Sequence, residues 1–308
     1  TAPNGRWERV SVSASERVVF DVQETVEPLG FVVRFYDAHQ RFDRMHFDPG
    51  DGIVKNVTWD QDSSDVVTMR VETNLAWGWG YAPGYDDNGS FYLDIHRPPD
   101  LMRSRNVLEG RHIVLDPGHG PLPSAIGPLG TTERDTNYAI ALALEKQLER
   151  QGATVTLTRH GVDGPALGDR PWIAYQAGGE LYLSIHNNAL PPEADPGSTP
   201  RGFMHFYYQP QSRPLAEAVE EEYRKRQPEL ADEGLRWGDL AVCRPPFMPA
   251  MLSESAYMIL PEQEERLREP SYQEHLAGTL LDGIRDYLER YREVQKHSSV
   301  ERAASQTR

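Results

Sequence analysis

Two histidines and two glutamates in this chain have the residue types and settings that hydrolytic metal chemistry requires. His119 stands between two glycines at the end of Ile113-Val114-Leu115-Asp116-Pro117-Gly118, where a short apolar run stops abruptly. His186 closes a second apolar run, Leu183-Ser184-Ile185, and Glu133 stands where an amphipathic stretch begins. Two imidazoles and one carboxylate form a three-ligand zinc set that leaves one position for water. The glycines beside His119 let the backbone turn sharply and keep the mouth of such a site free of side chains. Metal-assisted hydrolysis also needs a carboxylate outside the ligand set to take and return a proton. Glu254, ending the run Ala250-Met251-Leu252-Ser253, is the candidate. Asn187 and Asn188 are candidate substrate contacts, with simple turn formation as the other reading. Asn137, one helical turn beyond Glu133, either orients that carboxylate or faces solvent.

Residues so far apart in sequence meet only if a fold gathers them. From Arg111 onward the chain alternates strand and helix. Ile113–Leu115, Thr154–Thr158 and Leu181–Ile185 read as strands. Arg134–Arg150 reads as a helix, with Ile140, Leu144 and Leu148 on one face and Gly152 at its end. Pro214–Arg226 and Tyr272–Tyr291 read as later helices. This alternation predicts an α/β domain: a mostly parallel twisted sheet with helices on both faces. Side chains at the carboxyl ends of its strands converge on one crevice, where His119, His186 and Glu133 can meet.

The first hundred residues have another rhythm. Short alternating runs at Arg17–Val22, Phe31–Tyr36 and Val66–Val71 are separated by turn residues, as in Asp48-Pro49-Gly50-Asp51-Gly52, and Asn88-Gly89 marks a hairpin. An all-β, sandwich-like N-terminal domain over 1–100 is expected. A linker at 101–110, the α/β domain at 111–293 and a flexible tail at 294–308 complete the organisation. The aromatic stretch Trp77-Gly78-Trp79-Gly80-Tyr81 reads as part of the β core.

Composition narrows the function classes. The net charge is −15 over 308 residues, and Lys occurs only at 55, 146, 225 and 296. Such a chain does not grip a phosphate backbone, so no nucleic-acid partner is expected. No apolar run approaches the roughly 20 residues of a membrane helix. Cys243 is the only cysteine, which excludes an internal disulfide and a cysteine-based zinc cluster and suits a small buried side chain.

These residues and their order resemble the zinc-dependent N-acetylmuramoyl-L-alanine amidases of the amidase-3 type, a class of cell-wall hydrolases. The resemblance runs from about 110 to 291. It rests on VLDPGHG (114–120), AIGPLGTTERDTNYAIALAL (125–144), GATVTLTR (152–159), LYLSIHNNAL (181–190), GFMHFYY (202–208) and PAMLSES (249–255). It implies Zn2+ held by His119, Glu133 and His186, with Glu254 as catalytic acid/base. The substrate it implies is peptidoglycan or its muropeptides, cut at the amide between the lactyl group of N-acetylmuramic acid and L-alanine. Because that substrate lies outside the cytoplasmic membrane, export to the periplasm, cell wall or exterior is expected, by a signal segment not present in this chain. The chain departs from the family pattern at Pro121, where a second glycine is usual, and at Ser255-Ala256-Tyr257 after the glutamate. The N-terminal domain is loosely similar to wall-targeting β domains. Some members carry a helix after the second histidine segment that plugs the zinc until a partner removes it. Here Leu190–Pro200 holds four prolines and a glycine, which cannot sustain such a helix. An open cleft that needs no activator protein is expected. The alternatives are another zinc hydrolase of wall material, a peptidase or deacetylase, and a non-catalytic wall-binding regulator.

Overall fold

The structure, a computed structural model, describes residues 5–41, 52–121, 125–190, 197 and 201–306. The turn cluster at 48–51 and most of the proline-rich stretch 190–200 lie outside the described residues. The chain forms two compact units, Thr1–Pro99 and Asp100–Arg308.

The first unit holds β1 (Trp7–Val12), β2 (Phe20–Val26), β3 (Leu29–Tyr36), β4 (Val54–Ser63), β5 (Val66–Thr73), β6 (Tyr81–Tyr85) and β7 (Phe91–His96). They build two antiparallel sheets, ordered β1-β7-β6 and β2-β3-β5-β4. Every second residue turns inward: Phe31, Val33 and Phe35, then Val67, Met69 and Val71, then Phe91, Leu93 and Ile95 share one buried core. That period of two is what a half-buried strand requires. Between β6 and β7 the side chain of Asp86 accepts the amides of Asn88 and Ser90, and Gly89 supplies the positive φ of the turn. Trp79 is buried, as a core reading of the aromatic stretch requires.

The second unit runs β8 (His112–Pro117), α1 (Glu133–Arg150), β9 (Thr154–Leu157), α2 (Asp169–Ala177), β10 (Leu181–Asn188), β11 (Gly202–Tyr207), α3 (Arg213–Arg226), β12 (Ala231–Trp237), β13 (Ala250–Tyr257), α4 (Pro261–Arg268) and α5 (Pro270–Gln306). Its sheet has the order β12-β11-β13-β10-β8-β9. Four of its five pairings are parallel, and β11 against β13 is antiparallel. Both faces are covered. Val114, Tyr182, Ala250 and Leu252 pack with Ala174 of α2 and with Val242, Cys243 and Met248. On the other side α1 lies on β8, β9 and β10, α3 lies on β11 and β12, and α5 contacts both α1 and α3.

Two stretches differ from the sequence expectation. Residues 101–110 group with the second unit: Leu101, Val107 and Leu108 are fully buried, and Asn106 donates to the carbonyl of Gln151. Apolar side chains, not a flexible spacer, fill that segment. α5 also runs beyond 294 to Gln306, through a stretch with no Gly or Pro to stop it.

Candidate metal centre

Each proposed ligand is delivered by the end of a regular element. β8 and β10 run side by side and in parallel, with Leu115 paired to Leu183 and Pro117 to Ile185. Their carboxyl ends therefore release His119 and His186 at the same edge. The amide of Gly118 still donates to the Ile185 carbonyl, so the turn begins one residue beyond the strand. α1 starts at Glu133 because Thr132 caps it: the Thr132 hydroxyl accepts the amide of Asp135 and donates to the Asp135 carboxylate. The amide of Glu133 donates to the Ala125 carbonyl, and a bridge between Ile126 and Thr132 closes the approach. Glu264 of α4, fully buried, accepts the amides of Leu129 and Thr131 and shapes that approach from behind.

The donor atoms converge. One ligand atom each from His119, Glu133 and His186 lie within 4.8 Å of one another. His119 Nε2 is 2.7 Å from Glu133 Oε2, and His186 Nδ1 is 3.0 Å from Glu133 Oε1. The glutamate is buried, while both imidazoles are partly open to solvent. Burial opposes the charge of Glu133, but hydrogen bonds from the two imidazoles outweigh it and hold the carboxyl well below the usual range. Glu133 Oε1 also accepts the side chain of Asn137 at 3.1 Å and the amide of Asn187 at 3.2 Å. The amide group of Asn187 donates in turn to Asn137 Oδ1 at 2.8 Å. Asn187 and Asn137 are both buried behind the glutamate. Asn188 is half-buried, and its side-chain oxygen accepts the amide of Ala189. A Cβ on Gly118 would lie 2.2–2.6 Å from three atoms of the His186 ring, so only glycine fits there.

Glu254 reaches the same edge from β13, where it is paired with His186 on one side and Met204 on the other. Its Oε2 is buried with no hydrogen-bond partner among the described residues. Burial, and then the charge of Glu133, push its carboxyl well above the ordinary range. Two imidazoles gathered around an ionised carboxylate, with an unpartnered carboxyl oxygen on the neighbouring strand, form an arrangement that suits an added cation. The donor set is that of zinc, two nitrogens and an oxygen with room for a further ligand.

The pattern of apolar runs and punctuating glycines leads to all four of these residues. It does not lead to Arg159, Arg170 or Glu264, whose partners are largely backbone groups, or to Asp116, which is held by the side chains of Arg170, Thr158 and Ser184. Asp116 is fully buried. Burial raises its carboxyl, but Arg170 and the hydroxyls of Thr158 and Ser184 more than reverse this, and it lies below its usual value. Cys243 is buried, and burial pushes its thiol up to about 12, away from nucleophilic chemistry.

Comparison with known proteins identifies the family of the chain. The sequence profile of the N-acetylmuramoyl-L-alanine amidase family of the amidase-3 type matches residues 113–286. The probable cell wall amidase LytH of Staphylococcus aureus is 31% identical over 223 residues, 71% of this chain and 71% of that protein. Among solved structures, the N-acetylmuramoyl-L-alanine amidase AmiC2 of Nostoc punctiforme is 30% identical with a TM-score of 0.54, covering 59% of this chain and 99% of that one. The catalytic domain of CwlV, an amidase from Bacillus (Paenibacillus) polymyxa var. colistinus, is 28% identical with a TM-score of 0.53, covering 58% and 98%.

Proposed function

The chain belongs to the N-acetylmuramoyl-L-alanine amidase family, and from that premise we propose that it works as a zinc enzyme through His119, Glu133, His186 and Glu254. Its reaction is hydrolysis of the amide that joins N-acetylmuramic acid to the L-alanine of the peptidoglycan stem peptide. The observation that carries the zinc reading is the convergence of two imidazoles and a carboxylate within 4.8 Å, at the sheet edge that also bears Glu254.

His119, Glu133 and His186 would hold the ion, which when bound supplies a Lewis acid for water and for the scissile carbonyl. Glu133 contributes the negative charge of the set, kept ionised by the two imidazoles. Asn137 and the Asn187 amide fix the orientation of its carboxylate, so that Oε2 stays turned towards His119. Glu254 is the proton carrier. Its Oε2 takes a proton from the attacking water and delivers it to the nitrogen of the leaving L-alanine. Burial suits that task, because it raises the Glu254 carboxyl above its ordinary range and makes it a stronger proton acceptor. With the charge of Glu133 offset at the neighbouring donors, Glu254 would start the cycle ionised. Asn188, half-buried at the end of β10, is proposed as a substrate contact; Asn187 is proposed to act from behind the glutamate.

The likeness to a cell wall amidase supports work at the cell wall, and among the described residues no helix is long and apolar enough to cross a membrane. Export to the periplasm or cell wall belongs to this proposal, since the substrate is assembled there. So does independence from an activator, which the four prolines of 190–200 support. The test is mass spectrometry of purified peptidoglycan digested by the purified chain. Free stem peptides beginning at L-alanine, lost on chelation and restored by Zn2+, are expected. Shortened peptides or released acetate would overturn the reaction, and undiminished cutting after complete chelation would overturn the metal.

A further inference from the structure

His119 has φ +67, a left-handed backbone that a residue with a Cβ adopts only under constraint. The turn around it presents the carbonyls of Pro117, Gly118 and His119. Two arginines meet them. Arg159, just beyond β9, donates through Nε to the Pro117 carbonyl at 2.8 Å and through Nη2 to the Gly118 carbonyl at 3.0 Å. Arg170, in the first turn of α2, donates through Nη1 to the Pro117 carbonyl at 3.0 Å and through Nη2 to the His119 carbonyl at 2.6 Å. Three successive carbonyls are thus held by two guanidiniums, each at least 95% buried.

The guanidiniums are themselves fixed. Arg170 Nη1 reaches Asp116 Oδ1 at 2.8 Å, and Asp116 is tied to Ser184 Oγ at 2.8 Å and to Thr158 Oγ1. Arg159 Nη2 also donates to the Arg134 carbonyl at 2.7 Å, and Nη1 donates to the Gly161 carbonyl. Arg134 adjoins Glu133, so one side chain touches the turn that carries one candidate ligand and the helix start that carries another. The neighbouring backbone is cut to fit: a Cβ on Gly164 would lie 3.1 Å from Arg159 Cδ and 3.2 Å from Arg170 Nη2. Burial, and then the charge of Arg170, push Arg159 down to about 10, which still leaves it charged at neutral pH. Burying two cations beside one carboxylate is costly, and a fold that needed only to join β8, β9 and α2 could do so with apolar side chains.

We propose that Arg159 and Arg170 are positioning residues that grip the carbonyls of Pro117, Gly118 and His119 and so hold the left-handed turn that presents the His119 imidazole to Glu133. The proposal rests on the zinc reading above. It follows that the turn is set before any ion arrives and that the planar fork of arginine is required. Lysine keeps the charge but gathers its donors on one nitrogen, and lacks the planar fork that spans adjacent carbonyls in fixed geometry.

The experiment uses the full chain and its Arg159→Lys, Arg170→Lys and Gly164→Ala variants. For each, the melting of the metal-free protein, the Zn2+ dissociation constant by chelator competition and the visible absorption of the Co2+ form are measured. Lysine variants that melt cooperatively near the wild-type temperature yet bind Zn2+ on the order of 10–100-fold more weakly, with displaced Co2+ bands, are the expected result. Lysine variants that fold and show wild-type affinity and Co2+ bands overturn the proposal. Should neither lysine variant fold, Gly164→Ala decides by the same two readings, since it presses a methyl group on both side chains without removing a charge. A wild-type chain that binds neither metal overturns the zinc reading, and with it this proposal. Wild-type binding with unaffected variants overturns this proposal alone.

Discussion

Glu254 is paired with His186 across the adjacent parallel strands β13 and β10, so the proposed proton carrier and one proposed ligand leave the sheet at the same level. The two roles are separable by substitution. Glu254→Gln removes the proton site and keeps the volume. Its Zn2+ content should equal that of wild type, while turnover of muropeptides falls by roughly 10²-fold or more. Metal analysis of the folded variant beside a release assay checks both halves. A variant that loses zinc would move Glu254 into the ligand set.

His119→Ala and His186→Ala should each abolish zinc binding and hydrolysis together, because each leaves two of three protein donors. Metal content by mass spectrometry, with melting of the metal-free chains as a control for folding, checks this. A zinc-free variant with wild-type turnover would refute the proposed centre.

Asn137→Ala should weaken zinc without emptying the site. Asn137 makes no proposed contact with the ion; it donates to Glu133 Oε1 and accepts from Asn187. Loss of such a partner commonly costs about 10–100-fold in metal affinity. Chelator competition measures it, and an unchanged dissociation constant would show that the Asn187 amide alone orients the glutamate.

A buried pair away from the centre sets a pH dependence of stability. Glu220 of α3 lies 3.6 Å from His205 Nε2 of β11. Burial, and then a hydrogen bond with Asp232, raise Glu220 from 4.5 to about 8. Between those values the folded chain keeps a proton that the unfolded chain has released. The stability from this group is therefore complete below about 4.5, declines as the pH rises to about 8, and is flat beyond. Glu220→Gln keeps the neutral form at every pH and should be more stable than wild type at pH 8.5 by at least about 1 kcal/mol. The difference should vanish near pH 4. Melting of the metal-free proteins at both pH values tests it, and parallel curves for the two proteins would reject it.

The purified chain should cut soluble muropeptides with no other protein present. A chain that stays silent until a partner is added would reject the open-cleft reading of 190–200.

The three residues that the structure brings together, His119, Glu133 and His186, were legible in the sequence because each ends an apolar run or opens an amphipathic one. Those patterns reflect burial, which residue types record directly. Ile113–Leu115 and Leu181–Ile185 read as strands for this reason; His119 follows the end of β8, and His186 lies within the last residues of β10. The place of a strand within its sheet is recorded far less well. Nothing in Ala250–Tyr257 states that it enters between β10 and β11, or that it runs against β11, because direction and neighbour are settled by the whole layer. Arg159 was illegible for another reason. It reads as an ordinary charged residue after a strand, and the backbone carbonyls it holds leave no mark in a sequence of side chains.

The central place of β13 also has a consequence for the order in which the protein comes into being. β8, β9, β10, β11 and β12 all precede β13 in the chain, yet β13 lies between β10 and β11. During synthesis, which proceeds from the amino end, a gap one strand wide persists until the last strand emerges. That strand brings Glu254 with it, so the sheet closes and the proposed proton carrier arrives in one event. A chain broken off anywhere before Ala250 lacks the middle of its sheet, and with it the residue that would move the proton.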